Sequence, residues 1–475
     1  MSSKPRVIIL TSSPLTDRIL LYTDFVQRLA EDCLVEIWAA SYPGEHWERI
    51  QGIAEVLRMP PSNSFPEIPT NFLRRVNDIA RAYSSKNPSK LSMMRHLRDP
   101  RGTVAYRCQK ALAWLIARAG MQRGLDRILR KHIARTCTSP AAEAELNRRG
   151  PAFLLSMGPH FHPQMLLVNA AVRCGVPIGA YITSWDNMTT KTRLDHCYSA
   201  YFVWNEDMKK ELLAEECADA DSVFVTGAPQ FDILTRQYGL LERAAACRRW
   251  GLRPELPIIL YAMGRANGVD ERFAALELAQ RVSRGDVGQV QLLVRPHPYF
   301  EDRDVAAQIE SLGPSVRVQR LHGGSLERQL RPVCEEDIVE WVNCFYHASV
   351  VVHLSSTAAI DAAILGRPSV CLNYDPEPEK VKEALIKEVN CQWLHYRRVT
   401  ESGGTWLVNN SDELVRAIQE YLRNPERNAK ERVHMALRVA GFLDGLNATR
   451  FAAAVAGSVH RSRKAGRGRV GGAKH

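Results

Sequence analysis

The sequence has no run of about eighteen consecutive apolar residues, so no segment reads as a membrane-spanning helix. Near its start only Val7–Leu10 is continuously apolar. That is too short for the apolar core of a signal peptide, and it reads instead as a first buried strand. No Cys-x-x-Cys occurs among the eleven cysteines, and their number is odd. A zinc site and a disulfide framework are therefore not expected, whereas buried thiols in a reducing cytoplasm are. No repeat of 20–50 residues is present, which excludes a solenoid. Acids are missing from residues 460–475, where Arg461, Arg463, Lys464, Arg467, Arg469 and Lys474 form a basic tail expected to be disordered.

What is present is ordinary for a soluble chain of two domains: 475 residues, 45% hydrophobic and 24% charged. The net charge of +11 is uneven, because Ser84–Arg135 holds thirteen Lys or Arg against only Asp99 and Asp126. Outside that stretch and the tail, acids are in excess. The basic character is thus a patch plus a tail, which suits an anionic surface or ligand.

Short apolar runs alternate with amphipathic segments. Strands are predicted at Val7–Leu10, Val35–Ala39, Ala152–Ser156, Ile178–Ile182, Ala200–Val203 and Ser222–Val225. After Pro257 a second series follows at Ile258–Met263, Val290–Val294, Val316–Gln319, Val350–His353 and Ser369–Asn373. Helical segments between them imply α/β architecture with two doubly wound, Rossmann-like parallel sheets facing a cleft. The expected division is residues 1–234, residues 235–456 and a tail at 457–475. The stretch Arg58–Ser89, rich in Pro, Ser and Asn, opens an insertion that reaches residue 135.

In a parallel sheet, ligands sit outside the carboxyl ends of the strands. Four such ends in the second series carry suggestive loops: Gly264-Arg265-Ala266-Asn267-Gly268, Arg295-Pro296-His297-Pro298, Ser355-Ser356-Thr357 leading to Asp361, and Tyr374-Asp375. Arg295 is a permanent cation with a fork of donors suited to phosphate. His297, held between prolines, can donate to a phosphate oxygen. Hydroxyls at a helix start suit an anion, and Asp361, one turn on, can reach the two hydroxyls of a ribose. The alternatives are a strand-terminal turn with a solvated arginine, a core histidine, and a serine that only caps its helix.

The order Gly227-Ala228-Pro229-Gln230-Phe231-Asp232, Arg295-Pro296-His297-Pro298 and Ser355-Ser356-Thr357-Ala358-Ala359-Ile360-Asp361-Ala362-Ala363-Ile364-Leu365-Gly366-Arg367-Pro368 resembles the GT-B glycosyltransferase superfamily. Within it the likeness is to CDP-glycerol glycerophosphotransferases, nonhydrolysing UDP-N-acetylglucosamine 2-epimerases and related surface-polysaccharide enzymes. It covers roughly Val223–Asn373. The resemblance implies a nucleotide-sugar donor in the second domain, with His297, Ser356 and Thr357 at its phosphates and Asp361 at its ribose; the strand-end loops themselves add Gly264, Arg265, Arg295 and Ser355 as candidate binding residues. The acids that such epimerases carry in the first domain are missing near Pro159-His160 and Ile182-Thr183, and the HGT loop of the glycerophosphotransferases is absent.

The first domain then holds the acceptor. His160 and His162, after the strand Ala152–Ser156, and Asp186, after Ile178–Ile182, are the candidate bases, with Asp17 a further acid. Each has an ordinary reading as a packed imidazole, a turn or a cap. Trp185 either stacks on a sugar or lies in the core. Residues 105–119 and 121–135 are basic and amphipathic with Trp114 among them, which fits either a protein core or an anionic bilayer. The expected activity is a metal-independent, cytoplasmic glycosyltransferase, peripheral on the inner membrane face, needing no cofactor and acting on a glycan or lipid-linked acceptor. The alternatives are a nucleotide-sugar epimerase, a polyol-phosphate transferase or an inactive GT-B scaffold; nucleic acid is not an expected partner.

Overall fold

The computed structural model describes residues 4–61, 68–96, 104–215, 218–264, 269–297, 303–320 and 333–471. The chain forms two compact units. The first takes residues up to Gln230 and those from Leu446 onward; the second is Phe231–Gly445.

The first unit is built on a seven-stranded parallel sheet of β1 (Arg6–Thr11), β2 (Leu34–Ala39), β3 (Glu55–Arg58), β4 (Phe153–Ser156), β5 (Ile178–Tyr181), β6 (Ala200–Val203) and β7 (Val223–Val225), in the order β3-β2-β1-β4-β5-β6-β7. The central strands are apolar on both faces because helices cover both, so Val7, Ile8, Ile9 and Leu10 are all fully buried. Packing is tight enough to require glycine at one position. A Cβ on Gly179 in β5 would sit 2.6 Å from the Phe153 ring of β4 and 3.2 Å from Phe202 of β6. Gly179→Ala is expected to cost about 1–3 kcal/mol as overpacking, read as a lowered denaturation midpoint with an unchanged slope.

Between β3 and β4 the insertion forms four helices, Ile68–Ser85, Pro88–His96, Val104–Arg118 and Gln122–Thr136. Much of what read as loop at Arg58–Ser89 is thus helical, since Val76, Ile79, Ala80 and Tyr83 recur at helical spacing. These join Met94, Ala113, Tyr106, Ile116 and Leu125 in a core of their own.

The last helix, Asn447–Gly471, departs from the expected division. Its stripe Ala448, Phe451, Ala452, Val455, Ala456 and Val459 is buried. Phe451 stacks on Phe25 at 4.4 Å and meets Tyr181 and Phe202 at 4.8 and 5.3 Å. Residues 446–456 therefore belong to the first unit rather than the second, and the helix continues through Gly471 where a disordered tail was expected.

The second unit has a six-stranded parallel sheet of β8 (Ile258–Ala262), β9 (Gln291–Arg295), β10 (Val316–Val318), β11 (Val350–His353), β12 (Ser369–Leu372) and β13 (Trp406–Val408), in the order β10-β9-β8-β11-β12-β13. Both sheets thus reverse strand order beside their first strand, the doubly wound pattern expected from the sequence. The two strands that sequence reading missed, β3 and β13, are edge strands of four and three residues.

Candidate functional site

In each sheet the connections leave in opposite directions at one place: between β1 and β4 in the first unit, and between β8 and β11 in the second. In sheets of this class the following helices diverge to opposite faces at such a place, and ligands bind in the crevice this leaves outside the carboxyl ends of the strands. Most of the candidate residues lie at these two places or on the adjoining strand ends.

In the second unit, Gly264 follows β8, and Ser355, Ser356 and Thr357 follow β11. The two loops touch: a Cβ on Gly264 would lie 3.7 Å from Ser356 Cβ and 3.6 Å from the Leu354 carbonyl oxygen. The Gly264 N–H donates to both carboxylate oxygens of Glu271, at 3.0 and 3.1 Å. What Gly264 offers a ligand is therefore room rather than a donor. Glu271 also accepts from the Tyr261 hydroxyl at 3.1 Å, and burial pushes its carboxyl up to about 7. Sequence reading passed over Glu271 because an acid in the first turn of the helix Glu271–Ser283 reads as ordinary dipole compensation.

Ser355 adopts a left-handed backbone at φ +45°, uncommon for a residue with a side chain, and its Oγ donates to Asn390 Oδ1 at 2.7 Å. Ser356 Oγ accepts from the Ala358 N–H at 3.3 Å, a turn contact just ahead of Thr357, which is the helix N-cap. The Thr357 hydroxyl takes no partner among the described residues and is half-buried. Asp361 is turned into the fold, where its Oδ2 accepts from Trp341 Nε1 at 3.1 Å. That contact ties helix Ala358–Ile364 to helix Glu335–His347.

Arg295 ends β9, the other neighbour of β8, and its carbonyl accepts from the Met263 N–H at 3.0 Å. Its guanidinium donates to Gln319 Oε1, and Gln319 in turn donates to Glu340 at 2.6 Å. Part of the fork expected to grip a ligand is thus engaged with the neighbouring sheet edge. His297 is half-buried two residues on. Arg265 lies outside the described residues.

In the first unit, Gln164 knots the two strand ends together. Its Oε1 accepts from Ser156 Oγ at 2.6 Å and from the Gly158 N–H at 3.1 Å, and its Nε2 donates to Ser12 Oγ at 2.8 Å. Nothing in the sequence marks this glutamine, because its partners come from the ends of two separate strands. Asp17, in the helix that follows β1, is buried, accepting from Thr11 Oγ1 and from Ser41 Oγ at 3.2 Å. Burial raises its carboxyl to about 7. A raised value stabilises the fold below the ordinary carboxylate range, near pH 4, and the gain is lost as pH rises through 7. Asp17→Asn should accordingly melt higher than the parent at pH 8, the difference closing below pH 4.

His160 follows β4. Its Nδ1 lies 3.0 Å from the Thr192 carbonyl oxygen. A carbonyl only accepts, so the proton belongs on Nδ1, leaving Nε2 as a lone-pair acceptor. That Nε2 is sealed from solvent and has no hydrogen-bond partner among the described residues. Burial, helped by the charges of Lys191 and Lys90 and opposed by the Thr192 carbonyl and by Asp186, lowers the imidazole to about 4. His160 is therefore neutral at physiological pH, with an unpartnered lone pair on Nε2 among the described residues.

The other candidates differ. Asp186 is consumed by its own turn, its carboxylate accepting from Ser184 Oγ and from Thr190 Oγ1 at 2.9 Å. Trp185 is buried, in keeping with its core reading. His162 opens the helix His162–Arg173; its side chain lies outside the described part of the structure. The pair Asp219 and Asp221, a spacing that metal-dependent transferases use, lies in an exposed turn leading into the amino end of β7, the far edge from the strand ends above. Cys197 is disulfide-bonded, contrary to the expectation of thiols alone, while nine other cysteines among the described residues form no disulfide.

No family model matches the chain, and no curated protein matches it. Solved structures do. UDP-N-acetylglucosamine 2-epimerase from Neisseria meningitidis, solved with UDP-N-acetylglucosamine, is 14% identical with a TM-score of 0.51, covering 95% of this chain and 99% of that one. The Staphylococcus aureus protein MnaA, solved with UDP, is 13% identical with a TM-score of 0.52, covering 94% and 95%. The glycotransferase of kitacinnamycin is 12% identical with a TM-score of 0.51, covering 97% and 99%. At such identity the likeness is one of fold, and the fold is the two-domain GT-B architecture that the motifs implied.

Proposed function

We propose that the chain is a GT-B glycosyltransferase that moves a sugar from a nucleotide-sugar donor to an acceptor hydroxyl. The observation that carries this reading is His160: an uncharged imidazole at the carboxyl edge of the first sheet, held at Nδ1, with Nε2 buried and without a hydrogen-bond partner among the described residues. Such a group takes the proton of the acceptor hydroxyl as the bond from the sugar C1 to the acceptor oxygen forms. The bond from C1 to the phosphate oxygen breaks, and the electron pair leaves with the nucleoside diphosphate. The second unit holds that leaving group at the β8–β11 crevice, with the Thr357 hydroxyl, the loop at Gly264 and the His297 imidazole as its contacts. Fixed donors there lower the barrier by stabilising charge as it develops.

The acceptor reading extends to a membrane-linked substrate. Helices Val104–Arg118 and Gln122–Thr136, with Met121 just ahead of the second, expose Trp114 (48%), Leu115 (57%), Met121 (62%) and Ile128 (60%). Arg118 lies 5.6 Å over the Trp114 ring, and Arg123, Arg127 and Lys131 lie on the second helix. Leu129 and Ile133, by contrast, are core. Apolar anchors among cations suit an anionic interface. No helix of the described residues is long and apolar enough to cross a membrane, so attachment would be peripheral. Trp114→Asp with Leu115→Asp is expected to reduce co-sedimentation with anionic vesicles at least tenfold without a change in melting temperature; equal binding by parent and variant would remove this part of the reading.

A second reading is favoured by one observation: Asp17, a carboxyl raised to about 7 on the same edge, suits acid–base exchange in a nucleotide-sugar epimerase. One assay separates the two. Purified chain is incubated with UDP-, GDP- and CDP-sugars, with and without hydroxyl acceptors. A transferase releases nucleoside diphosphate and a glycosylated product only with acceptor. An epimerase yields a new sugar nucleotide without one. Neither product, with no ligand-induced rise in melting temperature, leaves only a scaffold.

A further inference from the structure

The helical insertion makes a set of polar ties to one short stretch of the first unit. Arg74, on helix Ile68–Ser85, pairs with Asp195 at 2.8 Å, and both are more than nine-tenths buried. Asp126, on helix Gln122–Thr136, pairs with Arg193 and also accepts from Asn77 at 2.7 Å. Asn87, between the first two helices, donates to the Thr189 carbonyl at 3.3 Å. All three ties end between Thr189 and Asp195. In the middle of that stretch is Thr192, whose carbonyl holds His160 Nδ1.

We propose that the insertion is a brace for His160: by gripping Thr189, Arg193 and Asp195 it fixes the Thr192 carbonyl, and so selects the tautomer and orientation that leave Nε2 unprotonated. This deepens the transferase reading and rests on His160 being its base. Arg193, Arg74 and Asn87 are positioning residues that act through Thr192. Buried ion pairs seldom add net stability over apolar residues of the same volume, because two charges must lose their water. Arg74–Asp195 and Lys90–Asp78, the latter at 3.0 Å, are such pairs, placed where orientation matters. The same group of residues also sets the charge that His160 meets: Lys90 from the insertion and Lys191 from the gripped stretch face it as cations, and Asp186 as an anion.

The test uses the full chain and reads His160 itself. In Arg193→Gln, Asp126 keeps Asn77 at 2.7 Å and Arg81 at 3.6 Å, so no charge is stranded and the variant should fold. Asn87→Ala removes one neutral hydrogen bond. Side-chain nitrogen NMR of labelled histidine, assigned by comparison with His160→Gln, should show the parent His160 protonated on Nδ1 and titrating well below an ordinary histidine. In both variants the Nε2-protonated form should appear and the titration fall further, because the Thr192 carbonyl that raises it is no longer held in place, while Arg193→Lys restores the parent spectrum. In the transfer assay the same variants should lower kcat three- to tenfold with the donor KM unchanged. An unaltered His160 tautomer and titration in folded Arg193→Gln and Asn87→Ala would overturn the brace. Absence of transfer by the parent, with the spectral shifts intact, would instead overturn the transferase reading and leave the brace standing.

Discussion

His160→Gln is expected to lower kcat for sugar transfer by about 10²–10⁴, the usual worth of a general base, while nucleoside diphosphate still raises the melting temperature as it does in the parent. Glutamine keeps a donor for the Thr192 carbonyl but has no basic nitrogen to replace Nε2. The loss should therefore fall on kcat and not on donor KM. The pH profile gives an independent check. Burial lowers the parent imidazole to about 4, so transfer should hold steady down to about pH 5 and fall below it. Stability follows the same group in a defined direction. A depressed value stabilises the fold above the ordinary histidine value of 6.5, and that contribution is lost as pH falls through 4. His160→Gln should thus show less acid destabilisation between pH 6 and 4 than the parent. His196 and His353, lowered to about 4 and about 3 by burial, remain to supply the rest. A variant that keeps full kcat would remove His160 from the chemistry.

Gly264→Val should abolish ligand-induced stabilisation by nucleoside diphosphates. At a concentration one hundred times its Kd, a ligand stabilises the parent by about 2.7 kcal/mol, several degrees of melting temperature. In the variant, Cβ alone would lie 2.9 Å from Glu271 Oε1 and 3.7 Å from Ser356 Cβ, and the two methyl groups would add to the crowding between β8 and β11. Displacing Glu271 also lowers the melting temperature of the unliganded protein, so the diagnostic quantity is the increment with ligand, not the baseline. Thr357→Val gives a milder version, losing a hydroxyl without adding bulk. If both variants respond to UDP, GDP or CDP as the parent does, the nucleotide does not bind at the β8–β11 crevice.

Central strands such as Val7–Leu10 and Val350–His353 could be read from the chain because burial on both faces leaves a continuous apolar run. The alternation of such runs with helices fixed the parallel, doubly wound class. Since ligands of that class sit at strand carboxyl ends, the loops carrying His160, His297 and Ser356 could be named before any coordinates. The edge strands Glu55–Arg58 and Trp406–Val408 could not, since a strand with a single neighbour buries too little to leave a pattern.

What each residue touches had to come from the fold. The apolar stripe of Asn447–Gly471 is plain in the sequence, but its partners Phe25, Tyr181 and Phe202 lie hundreds of positions away, and periodicity says only that a face is buried, not against what. Asp186 and Asp361 look as free as any acid until Thr190 and Trp341 are seen to hold them. His160 and His162 are indistinguishable by type and spacing. A carbonyl thirty-two residues from His160, fixed by helices inserted far upstream, decides where its proton sits. Residue type sets which chemistry is available; the long-range contacts that desolvate and orient a side chain decide whether it is used.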